Sequence, residues 1–125
     1  MSAGPGARRP LIVGNWKMNK TVAEARELIG ELLEERLPHD VEAVVAPPFT
    51  ALAAVHALLR DSGLGLGAQN MHPADYGPFT GEISPVMLRE LGVRYVILGH
   101  SERRLVFGET DASVARKVRS ALYHE

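Results

Sequence analysis

Cysteine is absent from this 125-residue chain. Disulfides, thiolate metal centres and a cysteine nucleophile are therefore excluded, and a cytoplasmic location fits the absence. Long apolar runs are missing as well. None approaches the roughly 20 residues that cross a bilayer, so no membrane span is expected. The opening MSAGPGARRP is small, polar and basic. No apolar stretch of about 7–15 residues follows it, so it does not read as a signal peptide. Residues 1–9 read as a flexible leader and 10–125 as the folded unit. An excess of either charge is also lacking: 14 Lys+Arg stand against 15 Asp+Glu, for a net charge of −1. That balance gives no global pull toward nucleic acid or an anionic membrane. The five histidines are scattered, with no pair at i, i+4, so no metal site is expected.

What is present is the composition of an ordinary globular domain, 46% hydrophobic and 23% charged. A chain of this length buries roughly two-thirds of the surface its unfolded form exposes. Short apolar runs at Leu11–Gly14, Val41–Ala46, Leu64–Ala68 and Tyr95–Leu98 read as strands, the first of them buried. Helical periods lie between and after them. Thr21 and Glu24 form a capping-box pattern, and Val22, Ala25, Leu28, Ile29, Leu32 and Leu33 then recur on one face until Pro38. A second helix is predicted from Phe49 to Arg60, closed by Gly63. Ser84-Pro85 caps a third, which runs to about Leu91 and stops at Gly92. A last helix opens at Thr110 or Asp111, with Val114, Ala115, Val118, Ala121 and Leu122 on one face.

Strands alternating with helices predict an α/β fold with a parallel sheet and right-handed crossovers. An open doubly wound sheet and part of a (β/α)8 barrel both satisfy that order. Residues 69–84, QNMHPADYGPFTGEIS, follow neither period. A loop longer than roughly 12–15 residues in a compact domain is usually functional or disordered. Tyr76 and Phe79 within it favour an ordered interaction loop.

In a parallel βα protein, functional groups collect just beyond the C-terminal ends of the strands. Asn15-Trp16-Lys17 follow the first strand, Gln69-Asn70 the third, and Gly99-His100-Ser101-Glu102 the fourth. A lysine, an asparagine and a histidine on one rim suit an anionic small substrate with a polarisable oxygen. The blander alternatives are a solvated loop lysine at Lys17 and a hydrogen-bonded structural histidine at His100. Trp16 and His56 read as packing and structural residues.

GNWKMN (Gly14–Asn19), GAQN (Gly67–Asn70), TGEIS (Thr80–Ser84), GHSERR (Gly99–Arg104) and GETD (Gly108–Asp111) stand in the order and spacing of one family. Over about residues 10–124 the chain resembles triosephosphate isomerase. The resemblance implies the (β/α)8 TIM-barrel fold, here only its first four βα units, a half barrel. It also implies interconversion of dihydroxyacetone phosphate and glyceraldehyde 3-phosphate, with no cofactor and no metal. Lys17 then corresponds to the active-site lysine that holds the substrate phosphate and stabilises enediolate charge. Asn15 is the substrate-binding side chain beside it. His100 is the electrophile that polarises the carbonyl, and Glu102 is a carboxylate of the lysine and proton network. Ser101, Gln69 and Asn70 are supporting residues. A backbone N–H from the SERR turn would make one imidazole nitrogen an acceptor, an arrangement carried over from the family. The 69–84 loop would reach a partner subunit, with Thr80 at its tip and Glu82 a candidate partner for Arg103.

Two features qualify these expectations. The family's general-base glutamate and its lid belong to later loops, so they are expected beyond residue 125 and this chain alone is expected to be inactive. Four strands of a barrel would also leave free edges, with YVIL an apolar one. The alternative is therefore a non-catalytic half barrel that self-associates, through its edges or the 69–84 loop, and at most binds small phosphorylated anions.

Overall fold

The computed structural model describes residues 8–124. Most of the expected leader, residues 1–7, lies outside the described residues. Four strands, Leu11–Asn15 (β1), Glu42–Ala46 (β2), Gly65–Ala68 (β3) and Tyr95–Val96 (β4), form one parallel sheet in the order β1-β2-β3-β4. The register runs from Leu11 opposite Glu42 to Asn15 opposite Ala46. The short β4 is extended by one further bond, in which Ile97 N–H donates to Ala68 C=O at 2.8 Å. Among the described residues both outer strands have a single neighbour, so the sheet is an open half of a barrel.

Between β1 and β2 lies Val22–Leu33 (α1), where Thr21 and Glu24 complete the reciprocal capping box. Ala25 and Ile29 are its buried positions. The helix predicted from Phe49 begins instead as a 3-10 turn, Phe49–Ala51, and continues as Leu52–Leu59 (α2). Pro47 and Pro48 precede it and leave no side-chain cap, which favours the tighter first turn. Pro85–Glu90 (α3) starts at Ser84, whose hydroxyl accepts from Met87 N–H. Gly92 ends that segment at φ +73°, where any added Cβ would also strike the His56 ring at 2.6 Å. Ser101–Leu105 (α4) and Asp111–Tyr123 (α5) follow β4.

The core lies between the sheet and α1, α2 and α3: Ile29, Leu52, Val55 and Leu88 pack on Val45, Leu66 and Ala68. Alternation puts Val44, Gly65, Gly67 and Tyr95 on the opposite face. A Cβ at Gly65 would lie 3.0 Å from Val44 and 3.5 Å from the Tyr95 ring. Its absence makes room for Tyr95 to cross the sheet and donate its hydroxyl proton to Glu42.

Two expectations need correction. The first strand is not buried: Ile12 is 62% exposed and Leu11 and Val13 are also exposed. β1 is an edge, and no element among the described residues covers its outer side. The apolar stripe of α5 is covered only in part: Val114, Ala115 and Ala121 are half-buried, Val118 and Leu122 are exposed, and the helix's one buried residue is Lys117. The 69–84 loop has no regular element, yet His72 N–H donates to Ile83 C=O at 2.8 Å and the His72 and Phe79 rings stack at 4.1 Å. Among the described residues no helix is long and apolar enough to cross a membrane.

Leu52 is 1% exposed and Leu122 is 60% exposed. Leu52→Ala should destabilise the chain by about 2–5 kcal/mol, and Leu122→Ala by no more than about 0.5 kcal/mol. Urea unfolding of the two variants checks the contrast.

Candidate active site

The parallel polarity of the sheet brings the ends of β1, β3 and β4 to one rim. Just past β1, Lys17 has a left-handed backbone, φ +54°, in a non-glycine residue. Such a conformation costs of order 1–3 kcal/mol and persists only where its surroundings fix it. Two hydrogen bonds do so. Lys17 N–H donates to Asn15 Oδ1 at 3.0 Å, and Lys17 C=O accepts from Gln69 Nε2 at 2.9 Å. The same Gln69 amide donates to Ala46 C=O at 2.8 Å, tying the lysine loop to β2. Trp16 packs partly buried against the core beneath this loop.

Past β4, His100 is the N-cap of α4, and its Nδ1 accepts from Glu102 N–H at 3.1 Å. A backbone N–H can only donate, so Nδ1 presents its lone pair and the ring carries its proton on Nε2. The Glu102 carboxylate reaches back to Lys17, with Oε1 2.6 Å from Nζ. The hydrogen bond from Lys17, against a smaller opposing effect of burial, holds the Glu102 carboxyl below the usual glutamate range. Asn15, Lys17, Gln69, Asn70, His100 and Glu102 together line a cavity of about 250 Å³. A larger groove of about 590 Å³ runs between α3, β4 and α5, but its walls are mainly apolar, among them Leu88, Val93, Val96 and Ala121.

Sequence reasoning missed one feature. Lys117 and Glu109 are buried beside the cavity, and Lys117 Nζ donates to Glu109 Oε2 at 2.9 Å and to Asn70 Oδ1 at 2.9 Å. Arg103 Nε donates to the same Glu109 oxygen at 2.5 Å. Burial pushes the Glu109 carboxyl up, but the bonds from Arg103 and Lys117 outweigh it and hold it below the ordinary range. Within the chain, then, Arg103 is paired with Glu109 and not with Glu82. The available signal was a lysine inside the apolar stripe of α5, one turn from Val114 and one from Ala121. Asp111 begins α5 as expected; its carboxylate meets Arg104 Nη1 at 2.6 Å, and Thr110 is the cap.

Residues 10–125 match the family model of triosephosphate isomerase. The chain belongs to the triosephosphate isomerase family. It is 63% identical over 118 residues to a triosephosphate isomerase of Chloroflexus aurantiacus, covering 94% of this chain and 47% of that relative. The corresponding protein of Alkaliphilus metalliredigens is 55% identical over 115 residues, covering 92% and 46%. That of Roseiflexus castenholzii is 54% identical over 119 residues, covering 94% and 47%. The chain thus spans about half the length of the curated relatives it matches. The family match agrees with the half-barrel sheet and with the partial (β/α)8 fold expected from the motifs.

Glu102 has the lowered folded-state pKa, so the stability it contributes is present above its unfolded value and is lost as pH falls through the folded one. Carboxyl-carbon NMR of the native chain should place the Glu102 midpoint below the usual glutamate range. Lys17→Met should return it toward that range.

Proposed function

We propose that this chain supplies the substrate-contacting half of a triose-phosphate isomerase site, acting in glycolysis and gluconeogenesis in the cytoplasm. The observation that carries the reading is the rim on which Lys17, paired to Glu102, and His100, with its Nε2 proton free to donate, border one cavity. Lys17 draws the phosphate of dihydroxyacetone phosphate into that cavity and later stabilises the enediolate. His100 Nε2–H donates to the substrate oxygen, which polarises the carbonyl and acidifies the adjacent C–H. Asn15 holds the lysine backbone in place. Abstraction of the carbon-bound proton needs a free base, and each carboxylate near the rim is held by a cation: Glu102 by Lys17, Asp111 by Arg104, and Glu109 through Oε2 by Arg103 and Lys117, its Oε1 being buried and outside the cavity lining. The base, and the lid that excludes water, come from a segment outside residues 8–124.

Residues 8–124 alone therefore bind triose phosphate without converting it. Homodimerisation is part of the same reading. The 69–84 loop, with Thr80 and Glu82 toward a partner's Arg103-bearing helix, is its natural arm, and the largely exposed Tyr76 supports a contact there. The exposed apolar edge of β1 favours the second reading, a self-associating half barrel that binds phosphorylated anions and turns nothing over.

The two readings separate on turnover. The chain is co-expressed, in an isomerase-deficient host, with the remaining segment of the Chloroflexus aurantiacus relative. Isomerisation should appear with the native chain and fall about 100- to 1,000-fold with Lys17→Ala. Equal turnover with Lys17→Ala would contradict the assignment. Absence of turnover with both, alongside a stable self-associated form of the chain, would favour the second reading.

A further inference from the structure

α4 is the element that gives His100 its tautomer, yet packing does not hold it. None of its residues is buried, and Leu105, at its last position, is 85% exposed. Its position is set by polar ties: Arg104 Nε donates to Gly99 C=O at 3.0 Å, Glu109 N–H donates to Arg103 C=O at 3.1 Å, and three ion pairs add to these bonds. Two of the pairs are open to water: Lys17–Glu102, with both side chains about half exposed, and Arg104–Asp111, with the carboxylate 96% exposed. Exposed pairs of that kind constrain geometry weakly. The third tie runs inward, from Arg103 on α4 to Glu109 and from Glu109 to Lys117, and the Glu109 and Lys117 side chains are only 7% and 9% exposed. A buried ammonium is costly to desolvate and is tolerated only when paired and hydrogen-bonded. Here it bridges Glu109, behind α4, to Asn70, in the loop after β3.

We propose that Lys117 is a positioning residue for His100. It touches neither the cavity nor the imidazole. Its ammonium fixes Asn70 and Glu109 at once, Glu109 fixes Arg103, and Arg103 holds the first turn of α4 where Glu102 N–H meets His100 Nδ1. The loop after β3 and the turn after β4 are thereby set at one spacing across the cavity. The same clamp acts on the lysine side, because Asn70 follows Gln69, whose amide holds the Lys17 carbonyl. An isosteric apolar side chain could fill the place of Lys117 in a core without such a tie; the charge is there to orient. The proposal rests on the reading of His100 and Lys17 as the site.

The test uses the 125-residue chain and no substrate, so it stands or falls independently of any turnover assay. Ring nitrogens of His100 are followed by ¹⁵N NMR, with hydrogen exchange of the Glu102 amide, in the native chain and in Lys117→Met. The native chain should show one unprotonated and one protonated ring nitrogen and a protected Glu102 amide. In Lys117→Met the two ring signals should move toward each other as tautomers mix, and the amide should lose its protection. A purely structural lysine would lower the melting temperature and leave the ring signals and the Glu102 amide unchanged, and that result overturns the proposal. Where Lys117→Met fails to fold, Glu109→Gln takes its place, since it keeps the ammonium and weakens the link to Arg103. Converging ring signals and a deprotected Glu102 amide in Glu109→Gln then support the proposal, and unchanged signals overturn it.

Discussion

The direction of the strands governs everything else in this molecule. Because β1, β2, β3 and β4 all run parallel, their C-terminal ends open on one side, and three separate loops can converge there. Register adds the finer constraint. Asn15 stands opposite Ala46, so a single amide from Gln69 can bond both the Ala46 carbonyl and the Lys17 carbonyl. A slip of one residue between β1 and β2 would turn Asn15 to the other face and uncouple the lysine from the sheet.

On that frame the rim is organised by charge and hydrogen bonding more than by apolar contact. The core ends below it, at Leu66, Ala68 and Met71. Above it, Lys17 has an uncommon backbone, His100 caps a five-residue helix, and Glu102 and Glu109 are each held in the charged form by cations. Lys17 is presented already paired, so an anion entering the cavity competes with Glu102 for the same ammonium. Strained and polar devices gathered at one end of a well-packed sheet are what a binding surface requires and what packing alone would not produce.

Much of this was legible in the sequence, for identifiable reasons. The capping box at Thr21, the Ser84-Pro85 start and the Gly92 stop are local signals, and each formed where it was expected. GAQN and GHSERR lie at strand ends, so their place on the rim followed from topology alone. Three things were hidden, two because they depend on distant partners and one, the start of the second helix, because periodicity does not distinguish an uncapped 3-10 turn from an α-helical one. The exposure of Leu11–Val13 reflects a missing neighbour and not the composition of the strand. The 3-10 turn at Phe49 reflects the uncapped start after two prolines. Burial of Lys117 reflects the meeting of α5, the GETD turn and Asn70, residues 47 positions apart at the extremes. A lysine in an apolar stripe was the trace these contacts left in the sequence.

If the rim is the functional end, a small phosphorylated anion should find it. Inorganic phosphate titrated into the ¹⁵N-labelled chain is the most direct measurement. The shifts should concentrate on the amides of Lys17, Gln69, Asn70 and His100 through Arg103, and should be lost in Lys17→Met. Shifts confined to Arg60 and Arg94 at the opposite end of the sheet, or spread evenly over exposed arginines, would contradict the assignment of the rim as the site.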